Sequence, residues 1–165
     1  MNNWWIIKRP NREDLAVEEP YDSIKHGEVI QLVHGLTHRA LNSHDVAAPV
    51  SPHNQEVSCY IDYNISMSAQ NLWKVDIINR DSAGEVWHTI NSQIRLVHVN
   101  TSAALRFTGK NYPDWGFVQH EVSENIKCND KRCKDINIKK YDFLPHFLFK
   151  LFIFNLAPGG QRQKH

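Results

Sequence analysis

The chain has 165 residues, of which 41% are hydrophobic and 22% charged, and its formal charge is +1 at neutral pH. One domain's worth of chain with that apolar content can bury a core, which excludes a disordered or fibrous protein. The even charge removes a general electrostatic case for nucleic acid or an anionic membrane. Three cysteines are too few for a disulfide scaffold, and no apolar run reaches the roughly 18 residues of a membrane span. The opening Met1-Asn2-Asn3-Trp4-Trp5 does not read as a signal peptide. The composition is that of a soluble globular domain.

In chain order, Trp4-Trp5-Ile6-Ile7 is a short strand-like run. A twelve-residue stretch beginning Ile30-Gln31-Leu32-Val33-His34 and ending at Leu41 then recurs 64 residues later, from Ile94-Arg95-Leu96-Val97-His98 to Leu105, with seven positions identical. At the same offset Gln55 meets Gln119. In each copy a period of two runs into a turn, at Gly35 or Asn100, and then into a second strand, which is a hairpin pattern and not a helix. Val57 to Tyr63 and Leu72 to Ile78 read as further strands, separated by the turn-rich stretches 48–54 and 79–84. No amphipathic helix is expected before Ser123. Trp4-Trp5-Ile6-Ile7 resembles Leu72-Trp73-Lys74-Val75, the strand that closes the first full copy, as if it ended an earlier one. Short strands in repeated four-strand units suit a barrel or trefoil, since such a unit cannot bury its apolar face alone.

The charge is unevenly distributed. Residues 1–122 carry 10 Lys+Arg against 14 Asp+Glu, whereas 123–165 carry 9 against 4. The later stretch is rich in Asn, Ile, Lys and Phe and contains Cys128 and Cys133, so a boundary is placed near Ser123. Its apolar run 143–154, broken by Pro145, His146 and Lys150, is too short to span a bilayer. The composition suggests a tail foreign to the domain, read through from non-coding sequence or from a mispredicted exon; the alternative is an interfacial membrane anchor, on the basic flank Lys139-Lys140 beside aromatic residues.

The run from Leu41-Asn42-Ser43-His44 through Pro49-Val50-Ser51-Pro52-His53-Asn54-Gln55-Glu56 to Asn64-Ile65-Ser66 resembles the MIR region of the protein O-mannosyltransferases, nearer to the first of the two animal paralogues. Asn71-Leu72-Trp73 and Pro113-Asp114-Trp115-Gly116 fit the same family. The resemblance covers about residues 3–122. It implies an all-β fold, an incomplete β-trefoil of MIR repeats: residues 1–22 end one repeat, 23–82 form a second, 86–122 an incomplete third, and 123–165 a divergent tail. A barrel left open in this way is expected to be marginally stable. It also implies the endoplasmic reticulum lumen, as part of a multi-pass membrane enzyme that transfers mannose from dolichyl-phosphate mannose to Ser or Thr and works with a paralogous subunit. The family's catalytic acidic loop and membrane helices have no counterpart here, so no catalytic residue and no cofactor is expected in this chain.

Ser43, His44, Gln55 and Glu56 supply the mixed donors and acceptors that a sugar or an acceptor protein needs; alternatively, His44 and Gln55 tie a loop to the barrel. Asn42 stands where the family's Leu-His-Ser-His motif has its first histidine. Asn64-Ile65-Ser66 and Asn100-Thr101-Ser102 are N-glycosylation sequons. His34 and His98 share one repeat position, which suggests a core hydrogen bond in preference to a metal ligand. The spacing of Cys128 and Cys133, with His120 and His146 flanking, lacks a second ligand pair, and no zinc site is assigned.

Overall fold

A computed structural model describes residues 5–10, 23–62, 69–88, 91–116 and 119–125. They form strands β1 (Trp5–Lys8), β2 (Val29–His34), β3 (Arg39–Ala47), β4 (Gln55–Asp62), β5 (Trp73–Ile77), β6 (Ile94–His98), β7 (Ala104–Asn111) and β8 (His120–Asn125). The sequence 79–84, read as a turn, contains one helical turn, α1 (Arg80–Ala83), with no buried residue. The all-β reading holds.

The strands pair antiparallel in the order β1-β2-β3-β4-β8-β7-β6-β5, and β5 bonds back to β2. β2 to β8 therefore form a closed seven-strand ring, with β1 attached outside it. The expectation of an open barrel is corrected by that last pairing. Val29 and Ile30 pair with Lys74 and Trp73, while Gln31 to His34 of the same strand pair with β1. One strand thus serves two partners in tandem, and the ring closes without further chain. β8 continues through Asn125, past the change of composition at Ser123.

Alternation decides what enters the ring. In β6, Ile94, Leu96 and His98 are buried and Arg95 and Val97 only partly so, as the period of two requires. β2 departs from it: Ile30 to His34 are all buried, and the Gln31 amide N–H donates to Asn71 Oδ1 at 3.0 Å. The core joins Ile30, Leu32, Leu41, Val57, Trp73, Val75, Ile77, Ile94, Leu96, Leu105 and Val122. Trp73 is its largest member, and its indole N–H donates to the Leu41 carbonyl at 2.9 Å, which satisfies the polar atom of a fully buried aromatic.

The internal repeat is visible in the hydrogen bonds. Trp5 is registered with His34 as Trp73 is with His98. The hairpin turns match as well: His38 N–H donates to His34 O and Ser102 N–H to His98 O, both at 2.9 Å. His38 and Ser102 have φ of 55° and 57°, the left-handed geometry that lets the chain reverse. His34 and His98 each place Nδ1 3.0 Å from the hydroxyl three residues on, Thr37 or Thr101. The shared histidine position therefore braces a turn.

The 64-residue offset slips by one in the middle of each unit. Ser43 faces Val57, but Phe107 faces Val122, so β4 and β8 begin at an offset of 65, and Ala40 facing Ile61 and Ala104 facing Asn125 restore 64 further on. The second loop is one residue longer. Gln119 consequently lies in that loop, and Glu121, not Gln119, is placed by the register in the row that begins with Gln55 and Glu56.

Candidate functional site

The four predicted ligand residues gather at an irregularity between β3 and β4. Ser43 faces Val57 and Ala47 faces Gln55, so His44, Asp45 and Val46 together oppose the single residue Glu56. Such a bulge breaks the ladder and re-aims side chains. Ser43 is fully buried, and its hydroxyl donates to the Glu56 carbonyl at 2.7 Å; it shapes the site from beneath. Gln55 Nε2 donates to Asp45 Oδ1 at 3.3 Å. His44 and Glu56 are half-buried beside one another. Burial raises the Glu56 carboxyl above its ordinary value, and the neighbouring His44 opposes that shift. The polar groups that line the bulge are therefore His44, Gln55, Glu56 and the exposed Asp45, with His44 Nδ1 and Gln55 Oε1 themselves withdrawn from water.

Asn42 is fully buried and accepts from the Ser58 hydroxyl at 3.5 Å. It is an interior partner of β4 and not part of the rim.

Two contributors from the second unit escaped the sequence reading. Tyr112 lies in the field of both Glu56 and Glu121, and burial, more than those two charges, pushes its phenol up. Trp115 is exposed and its ring lies 5.4 Å from that of Tyr112. Gly116 allows this loop to fold so tightly, because a Cβ there would stand 2.3 Å from Tyr112 Cβ. Pro113-Asp114-Trp115-Gly116 was a legible turn, but its position beside Glu56 depends on β4 pairing with β8, which no local pattern announces.

Of the sequons, Asn100 is exposed in the turn after β6, while Asn64 lies outside the described residues, as do Cys128, Cys133 and His146. Thr101 points inward: its hydroxyl donates to Glu124 Oε2 at 2.6 Å, and Glu124 Oε1 is 3.1 Å from His98 Nδ1 with both side chains fully buried. His98 Nε2 donates to the Gln70 carbonyl at 2.9 Å. Among the described residues no three His, Cys, Asp or Glu side chains converge as a metal site would require, and no helix is long and apolar enough to cross a membrane.

Comparison with known proteins fits this barrel. Residues 1–137 match the MIR domain. The chain belongs to the MIR domain family. This MIR chain is 66% identical over 122 residues to protein O-mannosyltransferase 1 of Drosophila pseudoobscura pseudoobscura, covering 74% of the chain and 13% of that relative. Against protein O-mannosyl-transferase 1 of Mus musculus the identity is 63% over 122 residues, again 74% of the chain and 16% of the relative. The MIR chain thus spans less than a fifth of the length of either. Among solved structures, the SDF2-like protein of Arabidopsis thaliana superposes with a TM-score of 0.61 at 31% identity, covering 74% of this chain and 63% of that one. A protein O-mannosyltransferase Pmt1-Pmt2 complex of S. cerevisiae, bound to the sugar donor, gives 0.56 at 26% identity over 78% of this chain and 21% of that one.

Proposed function

We propose that this chain is a non-catalytic MIR module of a protein O-mannosyltransferase, engaging a glycan or an acceptor protein at the β3–β4 bulge. The parent enzyme transfers mannose from dolichyl-phosphate mannose to Ser or Thr in the endoplasmic reticulum, with the module on the luminal side and a paralogous subunit as partner. The observation that carries this reading is the 66% identity to a protein O-mannosyltransferase over 122 residues, joined to a fold shared with a chain of the S. cerevisiae complex. Ser43 supports the bulge from below, and His44, Gln55 and Glu56 present the donors and acceptors. The arrangement is that of one incomplete trefoil: a repeat ending by residue 22, a second over 23–82 and a third from 86 whose last described strand runs through Asn125. Asn100 and Asn64 carry N-glycans when the chain enters the lumen.

A bracing role without ligand is the second reading. The bonds from Ser43 to Glu56 and from Gln55 to Asp45 favour it, since they tie the bulge together. Titration of mannose and of a mannosylated glycopeptide into the protein, followed by His44→Ala, separates the two. Binding that is lost in the variant supports recognition. No binding by the parent chain supports bracing.

A further inference from the structure

Glu121 and Glu56 are equivalent residues in different situations. Each is the single residue that faces a three-residue bulge: His44 to Val46 oppose Glu56, and Thr108 to Lys110 oppose Glu121. Each has its carbonyl bonded by a hydroxyl from that facing strand, Ser43 for Glu56 and Thr108 for Glu121. The Glu121 carboxylate is fully buried, and its Oε1 accepts the backbone N–H groups of Val50 and Ser51 at 2.7 and 3.0 Å. It thereby holds the 48–54 turn of the first unit, which Asn54 Nδ2 also pins to Ser123 Oγ at 2.9 Å. Among the described residues the Glu56 carboxylate accepts no hydrogen bond, although half of the residue is already withdrawn from water.

The strand pairing relates this carboxylate to a second turn. The unit whose turn enters Glu121 ends in β5, and β5 pairs with β6, the first strand of the unit that carries Glu121. β1 stands to β2 in that same relation, Trp5 opposite His34 as Trp73 is opposite His98. We infer that Glu56 is the socket for a backbone turn of a further MIR repeat, the one that β1 terminates. That turn presents two consecutive N–H groups to the carboxylate, at the separation ahead of Trp5 that Val50 and Ser51 have ahead of Trp73. The inference rests on reading the chain as part of a longer MIR-bearing protein. It deepens the account of the bulge: Glu56 binds polypeptide, leaving His44 and Gln55 at the rim.

The test is hydrogen–deuterium exchange, read by mass spectrometry, on the full-length product of the gene. Glu121→Ala should speed exchange at Val50 and Ser51 by about tenfold, the worth of a charge-assisted hydrogen bond. Glu56→Ala should produce a rise of the same size in the turn preceding Trp5, and Glu56→Gln, which keeps an acceptor oxygen, a smaller one. A Glu56→Ala protein with unchanged exchange ahead of Trp5, alongside a responding Glu121→Ala, overturns the inference. So does a gene product with no repeat before Trp5. Loss of mannose binding in His44→Ala with exchange unaltered concerns only the recognition reading, so the two failures are distinguishable.

Discussion

The two units of the barrel share a turn and differ in the buried residue that follows Ser58 in one and Ser123 in the other. After β2 and after β6 the same histidine–threonine contact braces the same reversal, with a left-handed residue at the same place, His38 or Ser102, completing it. Under the second turn Glu124 joins the half-buried Thr101 and the fully buried His98 in one network. In the first unit Cys59 follows Ser58 as Glu124 follows Ser123, and burial pushes its thiol up, as expected in apolar surroundings. A repeat therefore keeps the hydrogen bonds that bend its backbone, while the buried residue that follows its serine can be a thiol or a carboxylate. The carboxylate is the riskier choice, because desolvation makes it useful only while its partners stay in place.

The largest effect that probes this comparison falls on the paired tryptophans. Trp73 is fully buried and Trp5 only partly. Trp73→Ala should cost about 3–5 kcal/mol and Trp5→Ala about 1–2 kcal/mol in chemical denaturation; equal losses would mean that β1 is as integral to the ring as β5. Next comes the ground beneath the turns. Glu124→Ala removes the acceptor of the Thr101 hydroxyl and leaves a cavity, and should cost about 3 kcal/mol, whereas Cys59→Ala, losing only a small apolar group, should cost about 1 kcal/mol. If the two variants melt alike, the buried network contributes nothing beyond packing.

The smallest effect concerns Glu56. Its carboxyl is raised in the folded chain, so the folded state holds the proton more tightly than the unfolded one. That contribution is present below pH about 4.5, the ordinary value, and is lost as pH rises through the shifted value. Partial exposure keeps it slight. The unfolding temperature should show a shallow decline above pH 4.5 that Glu56→Gln abolishes; an identical profile in that variant would remove Glu56 from the account.

Much of the fold was legible because its signals are local. Alternation marked the strands, the 64-residue recurrence marked the units, and the likeness of Trp5 to Trp73 was realised in the register of β1. The closure of the ring was not legible, since it depends on Ile30 meeting Trp73 across the fold, and two paired residues leave no pattern of their own. The site was half legible. Residue types singled out Ser43, His44, Gln55 and Glu56, yet the one-residue difference between the loops concealed Glu121 behind Gln119, and with it the reason Glu56 matters. Asp45 and Tyr112 were missed because a bulge and a cross-unit pairing bring them in.

The seam between β2 and β5 also bears on how the barrel assembles. Two residue pairs hold it, against five between β5 and β6, and closing it requires gathering the whole chain from Ile30 to Trp73, an entropic cost that grows with loop length. The seam between β4 and β8 is likewise two pairs long and joins residues still farther apart. Both are contacts that only the assembled fold supplies, and β2 is the strand on which two tryptophan-bearing neighbours meet end to end.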